Sequence, residues 1–252
     1  MAANGLEDHG VIVVGAGDGI GKETAVALAE RGARVACLDR NGDTAAETAA
    51  QAQRHTAGAL SFKMDVTDDD AVDLTVEQVE AELGQIHALV NCAGTTGQTN
   101  LRSHEVDVDD LDFVYRVNLR GAFLLSRAVL PRMLPRGYGR VLHVTSIAGK
   151  EGNAGMMAYS ATKAGLIGMV KAQGKEYAET GITVNALAPA VIRTAMVAAL
   201  PEEQVQYMTS RIPMRRCGTL AEAATMVCWI VSPGCSFTTG FTFDLSGGRA
   251  VY

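Results

Sequence analysis

Seven short apolar runs, separated by helix-length stretches, limit what this chain can fold into. The runs are Val11–Val14, Arg34–Asp39, Ala59–Asp65, His87–Gly94, Gly139–Ser146, Gly181–Pro189 and Gly240–Gly248. The spacing between them predicts helices over about 19–31, 43–56, 68–83, 108–136, 157–179 and 220–232. The strands read as continuous apolar runs rather than alternations, so both faces of their sheet are expected to be covered. Strand alternating with helix predicts an α/β fold, a doubly wound parallel sheet of seven strands with helices on both faces. No repeat, low-complexity stretch or long linker interrupts the pattern, so residues 1–252 are expected to form a single domain.

Charge narrows the partners. The net charge is −6, and no Lys/Arg block exceeds Arg215-Arg216. Neutralising phosphates along a nucleic acid takes a concentrated basic face, so no nucleic-acid partner is expected. No apolar run approaches the ~20 residues of a membrane span, so no membrane partner is expected. The opening MAANGLEDHG has neither the basic nor the apolar region of a secretory signal. The five cysteines are odd in number and form no CxxC, which reads as reduced thiols in a cytoplasmic protein without a metal site.

After the first strand comes GAGDGIG, Gly15–Gly21. The glycines follow GxxxGxG, through Gly15, Gly19 and Gly21, because Ile20 stands where GxGxxG needs glycine. Such a turn lets backbone approach a pyrophosphate and aims the free N–H groups of the next helix at the anion. Gly15, Gly17, Asp18, Gly19 and Ile20 are thus candidate cofactor-binding residues of a Rossmann fold. Asp39 ends the second strand about 20 residues on, where a ribose-binding acid is expected. Its carboxylate would accept hydrogen bonds from adenosine hydroxyls and repel a 2′-phosphate. With Asp18 as a second acid, this favours NAD over NADP. Arg40 points the other way if it pairs with a phosphate; it also reads as a cover for the adenine face or as a solvated surface residue. Asp65 and Val66 can bracket the adenine, and a turn role is the plain alternative for Asp65.

Tyr159 and Lys163 stand four apart in MMAYSATKAGLIGMVKAQGKEYA and share a helix face. At ~4 Å and an effective dielectric of ~20, an ammonium would stabilise a phenolate by about 4 kcal/mol, or about three pKa units. The phenol would then fall from about 10 toward neutrality, where general acid–base catalysis works best. Ser146 lies 13 residues upstream, at the carboxyl end of the fifth strand, where α/β sheets bind ligands.

With these residues in order, the chain resembles the short-chain dehydrogenase/reductase family. The family's TGxxxGIG appears from Val14 to Gly21, and its NNAG as Asn91-Cys92-Ala93-Gly94. Its helix asparagine matches Asn118, its serine Ser146, its YxxxK Tyr159 and Lys163, its strand-six asparagine Asn185, and its carboxamide-binding threonine Thr194. Val14, Cys92 and Ala190 depart from the usual Thr, Asn and Gly. The resemblance implies Tyr159 as acid/base, Ser146 holding the substrate oxygen, and Lys163 tuning the phenol while binding the nicotinamide ribose. It implies Asn118 linking Lys163 to solvent through a water. It adds Asn91, Ala93, Gly94, Tyr159, Lys163, Pro189, Ile192 and Thr194 to the cofactor-binding set. It also implies a homotetramer, or else a dimer.

Residues 190–219 occupy the family's substrate-loop position and are expected to form a lid. Ser146, Lys150, Asn153 and Arg193 are candidates for the substrate wall, against a plain reading of the charged ones as solvated. The leading expectation is an NAD-dependent dehydrogenase oxidising a secondary alcohol in a sugar, polyol or sugar acid. The alternatives are a 3-oxoacyl-thioester reductase, which should prefer NADPH, and a non-catalytic NAD-binding sensor or scaffold.

Overall fold

The computed structural model describes residues 5–199, 201–250 and 252. Residues 1–4 and 251 of the expected domain, and Leu200 of the expected lid, lie outside the described residues. Seven strands form one sheet: β1 (Gly10–Val14), β2 (Arg34–Asp39), β3 (Leu60–Lys63), β4 (Ala88–Asn91), β5 (Gly139–Val144), β6 (Ile182–Pro189) and β7 (Thr242–Leu245). Their spatial order is β3-β2-β1-β4-β5-β6-β7, and every pairing is parallel. The helices are α1 (Gly19–Ala29), α2 (Gly42–Ala52), α3 (Asp69–Leu83), α4 (Val108–Tyr115), α5 (Gly121–Met133), α6 (Ala148–Glu151), α7 (Met157–Glu176), α8 (Ala195–Ala198), α9 (Glu202–Ser210) and α10 (Leu220–Ile230).

The period of two along a strand divides β1 between two cores. Ile12 and Val14 face one layer with Leu38, Val76, Leu89, Leu125 and Val129. Val11 and Val13 face the other with Leu28, Val35, Val90 and Val227. All of β1, β4, β5 and β6 is buried, as their unbroken apolar runs predict. The edges differ. β3 alternates half-buried and exposed, and β7 is half-buried throughout, because an edge strand lacks a neighbour on one side and is less covered by helices. The chain crosses from the β3 side of β1 to the β4 side, so a crevice opens at the carboxyl ends of β1 and β4.

The expected continuous helix over 108–136 breaks into α4, a π-helical turn at Arg116–Arg120, α5 and a 3-10 turn at Leu134–Arg136. π-turns of this kind favour functional sites, and this one holds Asn118, which is buried. Residues 190–219 are not plain loop: they carry α8 and α9. A short parallel pairing of Ile192 with Gly218 ties the two ends of this segment together. Among the described residues, no helix is long and apolar enough to cross a membrane.

Candidate active site

The glycine loop leaves β1 through Gly15, whose φ is +73° and whose N–H donates to Leu38 at 2.8 Å. A Cβ there would stand 2.8 Å from the Ala93 nitrogen, so only glycine allows the β1 and β4 loops to meet. Asp39 at the end of β2 accepts the Gly17 N–H at Oδ2 and the Asn41 N–H at Oδ1, both at 2.9 Å. The two bonds fix the plane of a carboxylate that still has acceptor capacity toward the crevice. Asp18 caps α1 with its backbone alone, leaving the first N–H groups of the helix without a side-chain partner. Gly15, Asp18, Asp39, Arg40, Asp65 and Val66 line one flank of the crevice, and Cys92, Ala93 and Gly94 the other. A fixed acid beside a glycine loop and an open helix N-terminus fits an adenosine ribose and a pyrophosphate. Arg40 is exposed. Asp65 takes the turn role as well, accepting both the N–H and the hydroxyl of Thr67 at 2.8 Å.

The residues expected to handle the proton converge past β5. Ser146 follows the strand, and its Oγ accepts the Ala148 N–H at 3.1 Å. Thr145 donates through its hydroxyl to the Lys163 carbonyl at 2.9 Å, which clamps α7 against the strand end. Gly149 makes that approach possible: a Cβ would lie 2.7 Å from the Lys163 carbonyl carbon. Lys163 is 3% exposed, and its ammonium donates to the Val144 carbonyl at 2.9 Å. Burial pushes its pKa down to about 8.

The expected lowering of the Tyr159 pKa by Lys163 is absent here. Burial raises the phenol above its usual value, and the Ser146 hydroxyl draws it only partly back. The reason is geometric. The amine is aimed at Val144 and sits 5.7 Å from the tyrosine ring centroid, so desolvation outweighs its field.

Asn118 is held on every polar atom: Oδ1 accepts the Thr95 N–H at 2.8 Å, and Nδ2 donates to the Thr95 carbonyl and the Thr162 hydroxyl. Asn91 accepts the Ala93 N–H at 3.1 Å and so shapes the second loop. Asn185 anchors the approach to β7, donating to the Thr238 carbonyl and accepting from the Phe241 N–H. The Ile147 N–H donates to the Pro189 carbonyl at 3.1 Å, Ile192 is buried, and the Thr194 methyl lies against Gly19. The structure thus brings the glycine loop and the base of the lid together across the crevice.

The substrate-wall candidates divide. Arg193 is exposed. Lys150, a candidate for the substrate wall against a reading as a solvated charge, is paired with Asp244 at 3.1 Å. Asn153 accepts from Arg249 at 3.2 Å, and Arg249 also pairs with Glu151 at 3.0 Å. The Tyr252 hydroxyl donates to the Lys150 carbonyl. Asp244, Arg249 and Tyr252 therefore clasp the segment after Ser146, a role the sequence analysis missed. Partners some 94 to 102 residues apart leave no local pattern to read. Cys92, at the wall of the crevice, has its thiol pushed up to about 12 by burial. Among the described residues, no group of three or more His, Cys, Asp or Glu could hold a metal.

Comparison with known proteins agrees with this geometry. The family model described as short chain dehydrogenase matches residues 9–205. The chain is 44% identical to 2-dehydro-3-deoxy-L-rhamnonate dehydrogenase (NAD(+)) of Sphingomonas sp. strain SKA58, covering 96% of this chain and 95% of the relative. It is 36% identical to a 3-oxoacyl-[acyl-carrier-protein] reductase of Thermotoga maritima, over 98% and 99% of the two chains. A reductase of the same name from Escherichia coli K12 is 37% identical over 94% and 95%. By these matches the chain belongs to the short-chain dehydrogenase family and is an oxidoreductase that works with NAD on CH–OH and keto groups.

Proposed function

We propose that the protein interconverts a secondary alcohol and a ketone that lies β to a second carbonyl, with Tyr159 exchanging the hydroxyl proton. What supports this most is the meeting of the Ser146 hydroxyl, the Tyr159 phenol and the buried Lys163 amine beside the dinucleotide crevice. The Ala148 N–H occupies a lone pair on Ser146, and the Ser146 O–H donates to the substrate oxygen. Burial keeps the phenol protonated in the open site, the form that donates to a ketone. Oxidation needs the phenolate, which a nearby positive charge favours. Lys163 gives one of its three N–H donors to Val144 and offers the others to the nicotinamide ribose. Bound NAD supplies the hydride acceptor. The Asn118 amide positions residue 95 and the π-turn beside Lys163 through three hydrogen bonds, and its Oδ1 keeps a second lone pair for the water of the proton path.

The substrate class follows from chemistry shared by the relatives' names. A 2-dehydro-3-deoxy sugar acid has a ketone at C2 and no oxygen on C3. A 3-oxoacyl thioester has an unoxidised carbon between its two carbonyls. An oxygen one carbon further from that methylene makes both β-hydroxycarbonyl or 1,3-dicarbonyl compounds. Within this class, the 3-oxoacyl reading is supported by the repeated reductase names at 36–37% identity. The sugar-acid reading is supported by Asp39, which suits the oxidising NAD pool, and by the relative at 44%. The test is turnover followed at the nicotinamide absorbance, with NADH plus a short 3-oxoacyl thioester and with NAD plus a 2-dehydro-3-deoxy sugar acid. Activity on either identifies the branch; activity on simple alcohols but on neither of these overturns the assignment.

We further infer a single cytoplasmic domain that assembles as a homotetramer or dimer. All seven strands share one sheet, and the five cysteines are free thiols. Tyr115 and Phe123 beside the π-turn, and Trp229 and Phe241 near β7, are large apolar side chains left exposed. A sedimentation profile showing monomer at micromolar concentration would reject the assembly.

A further inference from the structure

We propose that His143, which has no part in the reaction above, is the positioning residue for the cofactor loop Asn91–Gly94, acting through the Asn91 amide. The proposal rests on the assignment of that loop to the NAD crevice. His143 lies on β5 in register with Asn91 on β4 and is fully buried. Its Nδ1 is 3.2 Å from Asn91 Nδ2, and its Nε2 is 2.9 Å from the Ser126 hydroxyl on α5. Ser126 in turn reaches Gln173 on α7 at 3.3 Å.

The directions of these bonds are fixed from one end. Asn91 Oδ1 accepts the Ala93 N–H, so its NH₂ group faces the imidazole. An amide nitrogen only donates, which makes His143 Nδ1 the acceptor and puts the ring proton on Nε2. That proton goes to Ser126, whose own hydroxyl donates to the Gln173 carbonyl oxygen. The imidazole therefore prevents the Asn91 amide from flipping. A flipped amide would set NH₂ against the Ala93 N–H and leave buried donors unpaired, which is expensive in an apolar layer. Ala93 and Gly94 border the crevice, and Gly94 lies beside the Lys163 amine. A chain of hydrogen bonds thus runs from α7, which carries Tyr159 and Lys163, through α5, β5 and β4, to the loop that meets the cofactor.

The side-chain chemistry supplies the test. In His143→Asn the amide oxygen sits where Nδ1 was and keeps the acceptor for Asn91. His143→Gln keeps a donor toward Ser126 but loses that acceptor, and His143→Leu loses both. NAD affinity by calorimetric titration should stay within about two-fold of native in the Asn variant and weaken about ten-fold in the Gln and Leu variants, the loss of one buried hydrogen bond. Melting temperature is measured alongside, since all three disturb the core. Should the Leu variant not fold, the Gln–Asn pair decides the question. A Gln variant with native affinity and a lowered melting temperature, or an Asn variant as weak as Gln, would overturn the proposal. Asp39→Ala is the control: weakened NAD binding there but not in His143→Gln defeats this proposal alone, whereas no change in either defeats the cofactor site as well.

Discussion

Burial disfavours the charged forms of both the phenol and the amine in this site. With the crevice open, Tyr159 is held protonated and Lys163 is brought down to about 8. Alcohol oxidation needs the phenolate and should quicken as pH rises; ketone reduction needs the phenol and should slow. Steady-state rates in both directions across pH 6–10 check this, and parallel profiles would contradict Tyr159 as the proton carrier. Tyr159→Phe removes the hydroxyl and keeps the ring. Turnover should fall by at least about a hundred-fold, a typical general acid–base contribution, while NAD affinity measured by calorimetry stays put. At the other end, Asp39→Ala frees the N–H groups of Gly17 and Asn41 and removes the acceptor proposed for the ribose. The KM for NAD should rise about ten-fold, with the NADP-to-NAD ratio shifting upward, for loss of charge-assisted hydrogen bonds.

Helix α7 holds Tyr159 and Lys163 in place only because the α6 turn can press against it. Gly149 sits on the Lys163 backbone, and the Thr145 hydroxyl bonds the Lys163 carbonyl from the same side. Gly149→Val must push the turn off the helix, carrying Ser146 away from Tyr159. It should lower the unfolding free energy by about 1–3 kcal/mol, the usual result of overpacking. It should also lower kcat at an NAD affinity close to native. Urea denaturation and initial rates on the same preparation separate the two effects; native kcat in a destabilised variant would mean that the turn does not set the serine. The C-terminal clasp of Arg249 on Glu151 and Asn153 steadies the far end of this segment.

Across the whole molecule, neutral histidines that are wholly or half buried in the fold make it sensitive to acid. His9 stacks on His87 with ring centroids 4.4 Å apart, and His143 lies in the core. Burial lowers all three pKa values, His87 to about 4 and His143 to about 3. Because the folded values lie below the unfolded one of about 6.5, their stabilisation is complete above that pH and is lost as pH falls toward the folded values. For His143 alone, the loss between pH 6.5 and pH 5 is about 2 kcal/mol. Urea midpoints at pH 7 and pH 5 test this, and equal midpoints would contradict it. The sequence by itself determined the alternation of strand and helix, the glycine turn, and the Ser146, Tyr159 and Lys163 set. Each is written in local periodicity or short spacing, and the physics of a parallel sheet admits few arrangements of such a pattern. What only the tertiary structure decided lies between residues far apart in the chain. The π-turn is held by Asn118 on Thr95 and Thr162, Lys150 is taken by Asp244, and the Asn91–His143–Ser126–Gln173 chain crosses two strands and two helices. The raised phenol pKa belongs here too, because desolvation depends on what folds over a group, and no four-residue spacing carries that information.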